Sequence, residues 1–194
     1  MEHLGAIGKL ELYRPSVDDV HPQLARTIMG IEGAAYQARF GDIPRVVIDD
    51  VFELDPNKDL AINLDNLCDP DWFWVLGFYG KCLSSFAIFE PLGKTIEIAE
   101  LHTHPKRARQ GDATAVMRSG LQIAIDHYGV TEAALYVDRR SPWDNHPYLW
   151  YQRLGFRVEG VVGEITHLED VILQKYRMRA DAQVVLKNLN ARIG

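Results

Sequence analysis

Residues 102–117 read HTHPKRARQGDATAVM, a stretch in which an apolar strand runs through a basic, glycine-containing turn straight into an amphipathic helix. The strand is TIEIAELHT from Thr95, and the helix shows in the spacing of Ala113, Val116, Met117, Gly120, Leu121, Ala124, Ile125 and Tyr128, which fall on one helical face. A helix start exposes backbone N–H groups that have no partner within the helix, together with the positive end of the helix dipole. A turn of this kind can hold a phosphate or pyrophosphate, and Lys106, Arg107 and Arg109 add positive charge. Gly111 would let the backbone approach the anion, and Ala113 is small enough not to block it. Alone, the stretch fits an ordinary strand-to-helix turn with solvated Lys and Arg equally well.

Working outward, FWVLGFYGK from Phe73, CLSSFAIFE from Cys82 and the Thr95 strand are apolar, aromatic and β-branched runs. They are separated by Tyr79-Gly80-Lys81 and Pro91-Leu92-Gly93-Lys94, connections short enough to make three consecutive antiparallel strands. Upstream, Lys9–Tyr13 alternates like a short strand, and Ser16 with Asp19 resembles a helix cap, predicting a helix to about Ala35. Between Gly41 and Asp71 turn signals surround short apolar pieces, and no element is assigned. Downstream, Gly129 is a plausible helix end, followed by a strand at Ala133–Val137 and a helix at Pro147–Leu154. Further strands are expected from near Phe156 and around Val171–Arg179, with an amphipathic helix over Asp181–Arg192. This order predicts an α/β fold, a mixed and mostly antiparallel central sheet flanked by helices.

With 194 residues, 47% hydrophobic and 25% charged, the chain is expected to form one domain over 1–194, with no repeat or low-complexity linker. A formal net charge of -6 without blocks of like charge argues against nonspecific binding to nucleic acid or anionic membranes and suits cationic or neutral partners. The opening MEHLGAIGKLELYRP carries Glu2, Lys9 and Glu11, so it lacks the apolar run of a secretory signal. Cys68 and Cys82 have no second pair at zinc-ligand spacing, and a reducing cytoplasm is the expected setting.

A second stretch, LYVDRRSPWDNHPYLWYQRLGF from Leu135, places Tyr151 on a short helix, with Gly155 able to end it in a left-handed turn and Phe156 opening the next strand. Together the two stretches resemble the GCN5-related N-acetyltransferase family. In that family a strand ends in a V-x-P-like element, a Q/R-x-x-G-x-G/A loop binds the pyrophosphate of acetyl-CoA, and a later N-x-x-A…Y-x-x-x-G-F segment contacts pantetheine and thiolate. Here Thr103-His104-Pro105 stands at the strand end, Gly111-Asp112-Ala113 at the G-x-G/A positions, and Tyr151 to Phe156 at the tyrosine segment. The resemblance runs from about Phe73 to Val162. It implies acetyl-CoA as co-substrate, held by Leu101, Thr103, Arg107, Arg109, Gln110, Gly111, Asp112 and Ala113, and by Asp144 or Asn145 at the asparagine position. Three positions depart from the pattern. Ala108 occupies the Gln/Arg position, so that contact is missing or supplied by Arg107 or Arg109. Asp112 puts an acid into a phosphate turn, which should weaken binding unless its side chain points outward or caps the helix. The asparagine position falls on Asp144, with Asn145 one place later.

The implied chemistry is direct attack of a primary amine, on a small molecule or peptide, at the thioester carbonyl. An ammonium cannot attack, so a base must remove its proton. The resemblance points to a strand-borne Glu, here Glu97, with Glu100 second; alternation puts Glu97 with Ala99, Leu101 and Thr103, and Glu100 with Ile98 and His102 on the other face. For either, an exposed strand carboxylate is the plain alternative. Tyr151 would serve the leaving thiolate, and backbone N–H groups around Thr103–His104 would polarise the carbonyl. His102-x-His104 has no third ligand at suitable spacing, so no metal is expected. Trp72, Phe73, Trp74, Phe78 and Tyr79 read as sheet core, whereas Trp143, Tyr148 and Trp150 are candidates for an acceptor-pocket wall. The expected partners are acetyl-CoA and an amine acceptor, with a homodimer admitted. Noncatalytic acyl-CoA binding is the alternative that Ala108 keeps open.

Overall fold

A computed structural model describes residues 1–19, 21–40, 71–141, 146–167 and 171–193. An eight-stranded sheet has the order β1-β2-β3-β4-β5-β6-β8-β7, and the chain forms two compact units: Met1–Glu90 with Glu100–Gly120, and Pro91–Ala99 with Leu121–Arg192.

The first unit opens with a hairpin of β1 (Glu2–Ile7) and β2 (Leu10–Arg14). Only β2 was legible in the sequence, because a register shift between His3 and Gly5 interrupts the two-residue alternation of β1. Ser16 donates through its backbone N–H and its hydroxyl to Asp19 Oδ2, at 2.8 and 2.6 Å. That expected cap closes a 3-10 turn at Val17–Asp19, and α1 begins later, at Pro22, and runs to Phe40. His21 supplies its cap, with Nδ1 accepting from the Leu24 N–H at 3.1 Å. Proline fits the first helical position because an N–H there would have no helical partner. Leu24, Ala25, Ile28 and Ile31 form its buried stripe.

Strands β3 (Phe73–Tyr79) and β4 (Cys82–Leu92) pair antiparallel and lead into β5 (Thr95–Thr103), the three strands expected from sequence. Aromatic pairs fill both faces: Phe73 stacks on Phe89 with centroids 5.0 Å apart, and Trp74 on Phe86 at 5.8 Å. Helix α2 (Asp112–Tyr128) comes close to Phe89 through Gly120. A Cβ at Gly120 would lie 2.1 Å from ring carbons of Phe89, which is itself buried and held by its stack on Phe73. Gly120→Ala is therefore expected to destabilise the protein by roughly 3 kcal/mol through overpacking, even though alanine is preferred over glycine in helices by about 1 kcal/mol. Chemical denaturation checks this, and an unchanged or higher midpoint would show that the Phe89 ring yields.

In the second unit the start of β5 pairs parallel with β6 (Glu132–Ser141), from Thr95 with Glu132 to Ile98 with Leu135. A parallel neighbour requires a crossover, and α2 supplies it. α2 ends as expected at Gly129, whose N–H donates to the Ile125 carbonyl at 3.2 Å. β8 (Val171–Asp181) pairs antiparallel with β6 and with β7 (Arg157–His167), which carries two register shifts. Between β6 and β7 lies α3 (His146–Leu154), and α4 (Ala182–Ile193) closes the chain, capped by Asp181 Oδ1 accepting from Val184 N–H at 3.0 Å. Asn188 of α4 donates to the Leu154 carbonyl at 3.0 Å and so satisfies an end group of α3. Among the described residues no helix is long and apolar enough to cross a membrane.

Candidate functional site

The strand-to-helix segment of the first unit has a 3-10 turn, Pro105–Arg107, between β5 and the glycine turn. Its proline occupies the first position, His104 Nδ1 accepts from Lys106 N–H at 3.2 Å, and Ala108 follows in an extended conformation. The chain then turns through two residues with positive φ, Arg109 at 64° and Gly111 at 91°. For Gly111 this costs little, whereas for Arg109 the left-handed conformation costs about 1–2 kcal/mol. Strain of this kind persists where the surroundings over-determine it, and it clusters at ligand clamps. The first helical bond of α2 is donated by Ala115 N–H to the Gly111 carbonyl at 2.9 Å, so the N–H groups of Asp112, Ala113 and Thr114 precede the helix ladder. A Cβ built on Gly111 would meet no atom within 4 Å, so the space beside the turn is open.

Two of the basic candidates part company here. Arg107 donates from Nε to Asp112 Oδ2 at 2.9 Å and from Nη2 to Oδ1 at 3.0 Å, a forked pair that spans the turn. Its guanidinium also lies over the Tyr79 ring, 4.1 Å from the centroid. Hydrogen bonding to Asp112 raises the Arg107 pKa further above its usual value, so it stays charged. Asp112 is 3% exposed. It does not point outward from the turn, as one sequence expectation required; its charge is matched by Arg107 instead. Arg109, Lys106 and Gln110 are exposed, with Gln110 donating to the Lys106 carbonyl at 3.2 Å. Tyr79, read from sequence as core, is substantially exposed and forms the platform beneath Arg107. No local pattern connects Tyr79 with the turn, because they meet only through the pairing of β3 with its neighbours.

At the end of β5, Ser85 of β4 is buried, donates its hydroxyl to the His102 carbonyl at 2.7 Å and meets Thr103 Oγ1 at 2.9 Å. His104 N–H donates to the Ser84 carbonyl at 2.8 Å. That N–H is thus committed, which removes one of the two donors expected to polarise a carbonyl near Thr103. Ile96 and Ile98 are buried while Glu97 and Ala99 are half-buried, the alternation read from sequence. Glu100 Oε2 lies 2.6 Å from His102 Nε2, and the His102 ring packs at 5.2 Å against Phe86. The candidates Glu100, Leu101, Thr103, Arg107, Arg109, Gln110, Gly111, Asp112 and Ala113 therefore follow one another along one strand–turn–helix segment of the first unit.

Glu97 and Tyr151 belong to the second unit. Tyr151 is 8% exposed on α3, with its ring 4.9 Å from Trp150 and edge-on to Phe156 at 5.7 Å. Gly155 ends α3 at φ 107°, and the Phe156 N–H donates to the Tyr151 carbonyl at 3.1 Å. This is the helix-stop and strand-start that the Y-x-x-x-G-F spacing predicts. Tyr148 packs on Tyr176 at 5.3 Å, with the Arg139 guanidinium 5.1 Å from its ring. Asp144, Asn145 and Trp143 lie outside the described residues. A separate open cleft of the second unit is lined by Thr131, Glu132, Arg157, Glu159, Arg179 and Asp181. It contains no candidate residue, and Arg179 bridges its acids, at 2.7 Å to Glu132 and 2.8 Å to Glu159.

No family model and no curated protein matches the sequence. Solved structures do match. The PaiA N-acetyltransferase from Thermoplasma acidophilum, in complex with coenzyme A, is 16% identical with a TM-score of 0.67, over 89% of this chain and 98% of that one. The ribosomal-protein-S18-alanine N-acetyltransferase from Escherichia coli is 14% identical with a TM-score of 0.64, over 89% and 94%. An aminoglycoside 6'-N-acetyltransferase complexed with coenzyme A is 14% identical with a TM-score of 0.63, over 88% and 97%. What these proteins share with this chain at such identity is the course of the backbone. The chain has the fold of the GCN5-related N-acetyltransferases, a mixed, mostly antiparallel sheet flanked by helices.

Proposed function

We propose that the protein is an acetyl-CoA-dependent N-acetyltransferase, a single domain that transfers an acetyl group to a primary amine of a small molecule or peptide. The observation that carries this reading is the turn Ala108–Gly111, which holds two positive-φ residues before a helix start and leaves open space beside Gly111. Solved relatives in fold that hold coenzyme A support it. In this reading the pyrophosphate lies against the N–H groups at the start of α2, with Arg109 and Lys106 as cationic flanks, and Leu101 and Thr103 line the pantetheine arm.

The amine attacks the thioester carbonyl, the C–S bond breaks as the amide C–N bond forms, the thiolate takes a proton from Tyr151, and the phenolate so formed takes up the second proton that the nitrogen sheds in becoming the amide. Glu97 accepts the proton lost by the attacking ammonium, directly or through water. The net charge of -6 favours encounter with a cationic amine. A carboxylate that attracts an ammonium also stabilises its unreactive protonated form, so the rate should rise with pH until base and amine are both deprotonated. Glu97→Gln is expected to depress kcat most near neutral pH and to recover partly at alkaline pH, where free amine exists without help. A wild-type pH–rate profile in that variant would remove Glu97 from the role, with Glu100 then tested in the same way.

Calorimetric titration with acetyl-CoA and a thiol-release assay against a panel of primary amines test the whole reading. Binding with turnover of at least one amine is expected. Binding without turnover would leave a noncatalytic acyl-CoA module, and absence of binding would reject the proposal.

A further inference from the structure

We infer that Asp112 and Arg107 are positioning residues for cofactor binding, an internal ion pair that holds the phosphate turn in its binding shape without itself contacting phosphate. The inference rests on the reading of the turn as the acetyl-CoA site. An acid at the first position of α2, beside an incoming pyrophosphate, would by charge alone oppose binding. The structure gives that acid another task. Both of its oxygens accept from Arg107, at 2.9 and 3.0 Å, so the pair carries no net charge towards a ligand. Arg107 closes the 3-10 turn and Asp112 opens the helix, so the fork fixes the distance between the two ends of Ala108–Gly111. Tyr79 seats the guanidinium from the other side, 4.1 Å from its ring centroid, and ties the turn to the end of β3. Such a brace accounts for how the left-handed conformation of Arg109 is held before any ligand arrives.

The brace and simple repulsion predict opposite signs. If Asp112 only repelled phosphate, Asp112→Asn would tighten acetyl-CoA binding. As a brace, its replacement is expected to weaken binding about tenfold, seen in Kd and KM with kcat little changed, because the chemistry lies elsewhere. Arg107→Lys keeps the charge but loses the fork, and it is expected to weaken binding almost as much as Arg107→Ala. The double variant Arg107→Ala/Asp112→Ala should lose little more than either single variant, since one interaction has been removed twice. Tyr79→Leu leaves the ion pair intact and offers a milder perturbation should the buried variants fold poorly; a loss of a few-fold in affinity is expected, with circular dichroism showing a native fold. Wild-type or tighter affinity in Asp112→Asn, or in Arg107→Lys and Tyr79→Leu together, would overturn the inference while leaving acetyl-CoA binding by the wild-type chain in place. Failure of the wild-type chain to bind acetyl-CoA would instead reject the underlying functional reading.

Discussion

Gly111→Glu is expected to lower the affinity for acetyl-CoA by about 100-fold, from two contributions of similar size. The glycine sits at φ 91°, and any residue with a Cβ in left-handed backbone costs about 1–2 kcal/mol, which the turn would relieve by changing shape. A glutamate there would also place its own carboxylate at the start of α2, where helix N–H groups attract anions, and so compete with the pyrophosphate for the same donors. Gly111→Ala separates the two effects. Since a Cβ would meet no atom within 4 Å, alanine suffers the backbone strain without a steric clash, and a loss of less than about tenfold is expected. Calorimetric titration of both variants checks this. Equal affinity in wild type and Gly111→Glu would remove the turn from the proposed cofactor site.

Most elements were legible because their residues obey a single period. The runs at Phe73, Cys82 and Thr95 are dense in apolar and aromatic residues and are punctuated by turn glycines, and the α2 stripe recurs at helical spacing over four turns. Reading failed where a local device breaks the period. The shift at Gly5 hid β1, and the 3-10 turn at Val17 displaced the start of α1.

The site divides in the same way. Gly111, Gly155 and the helix start after the turn announce themselves because each is a backbone requirement written in one residue type. Pairings between side chains far apart in sequence do not. Tyr79 beneath Arg107, Ser85 beneath the His102 carbonyl and the Ser84 carbonyl that takes the His104 N–H all depend on which strand lies next to which. Asp112 is instructive because its partner, Arg107, is only five residues away, and both residues were singled out from sequence. The pairing stayed hidden because it needs the turn to fold back on itself, which two positive-φ residues bring about.

Tyr151→Phe is expected to reduce kcat by about 100-fold while leaving the affinity for acetyl-CoA nearly unchanged, because only the hydroxyl is removed and general-acid assistance is typically worth that much or more. The ring itself is structural. It is 8% exposed, packed against Trp150 and edge-on to Phe156, and all of these contacts survive in phenylalanine. Stability measured by denaturation should therefore fall by no more than about 1 kcal/mol, the net worth of one hydroxyl hydrogen bond, which separates a chemical role from a packing one. The variant should also be least impaired with acyl donors whose leaving thiolate is already stable, such as aryl thioesters, since a weakly basic sulfur needs no proton as it departs. A Tyr151→Leu variant, by contrast, would lose the aromatic packing and is expected to be less stable as well as slow. If kcat for acetyl-CoA is unchanged in Tyr151→Phe under conditions where the chemical step limits turnover, Tyr151 belongs to the packing of α3 on the start of β7, and the proton for the thiolate must come from solvent.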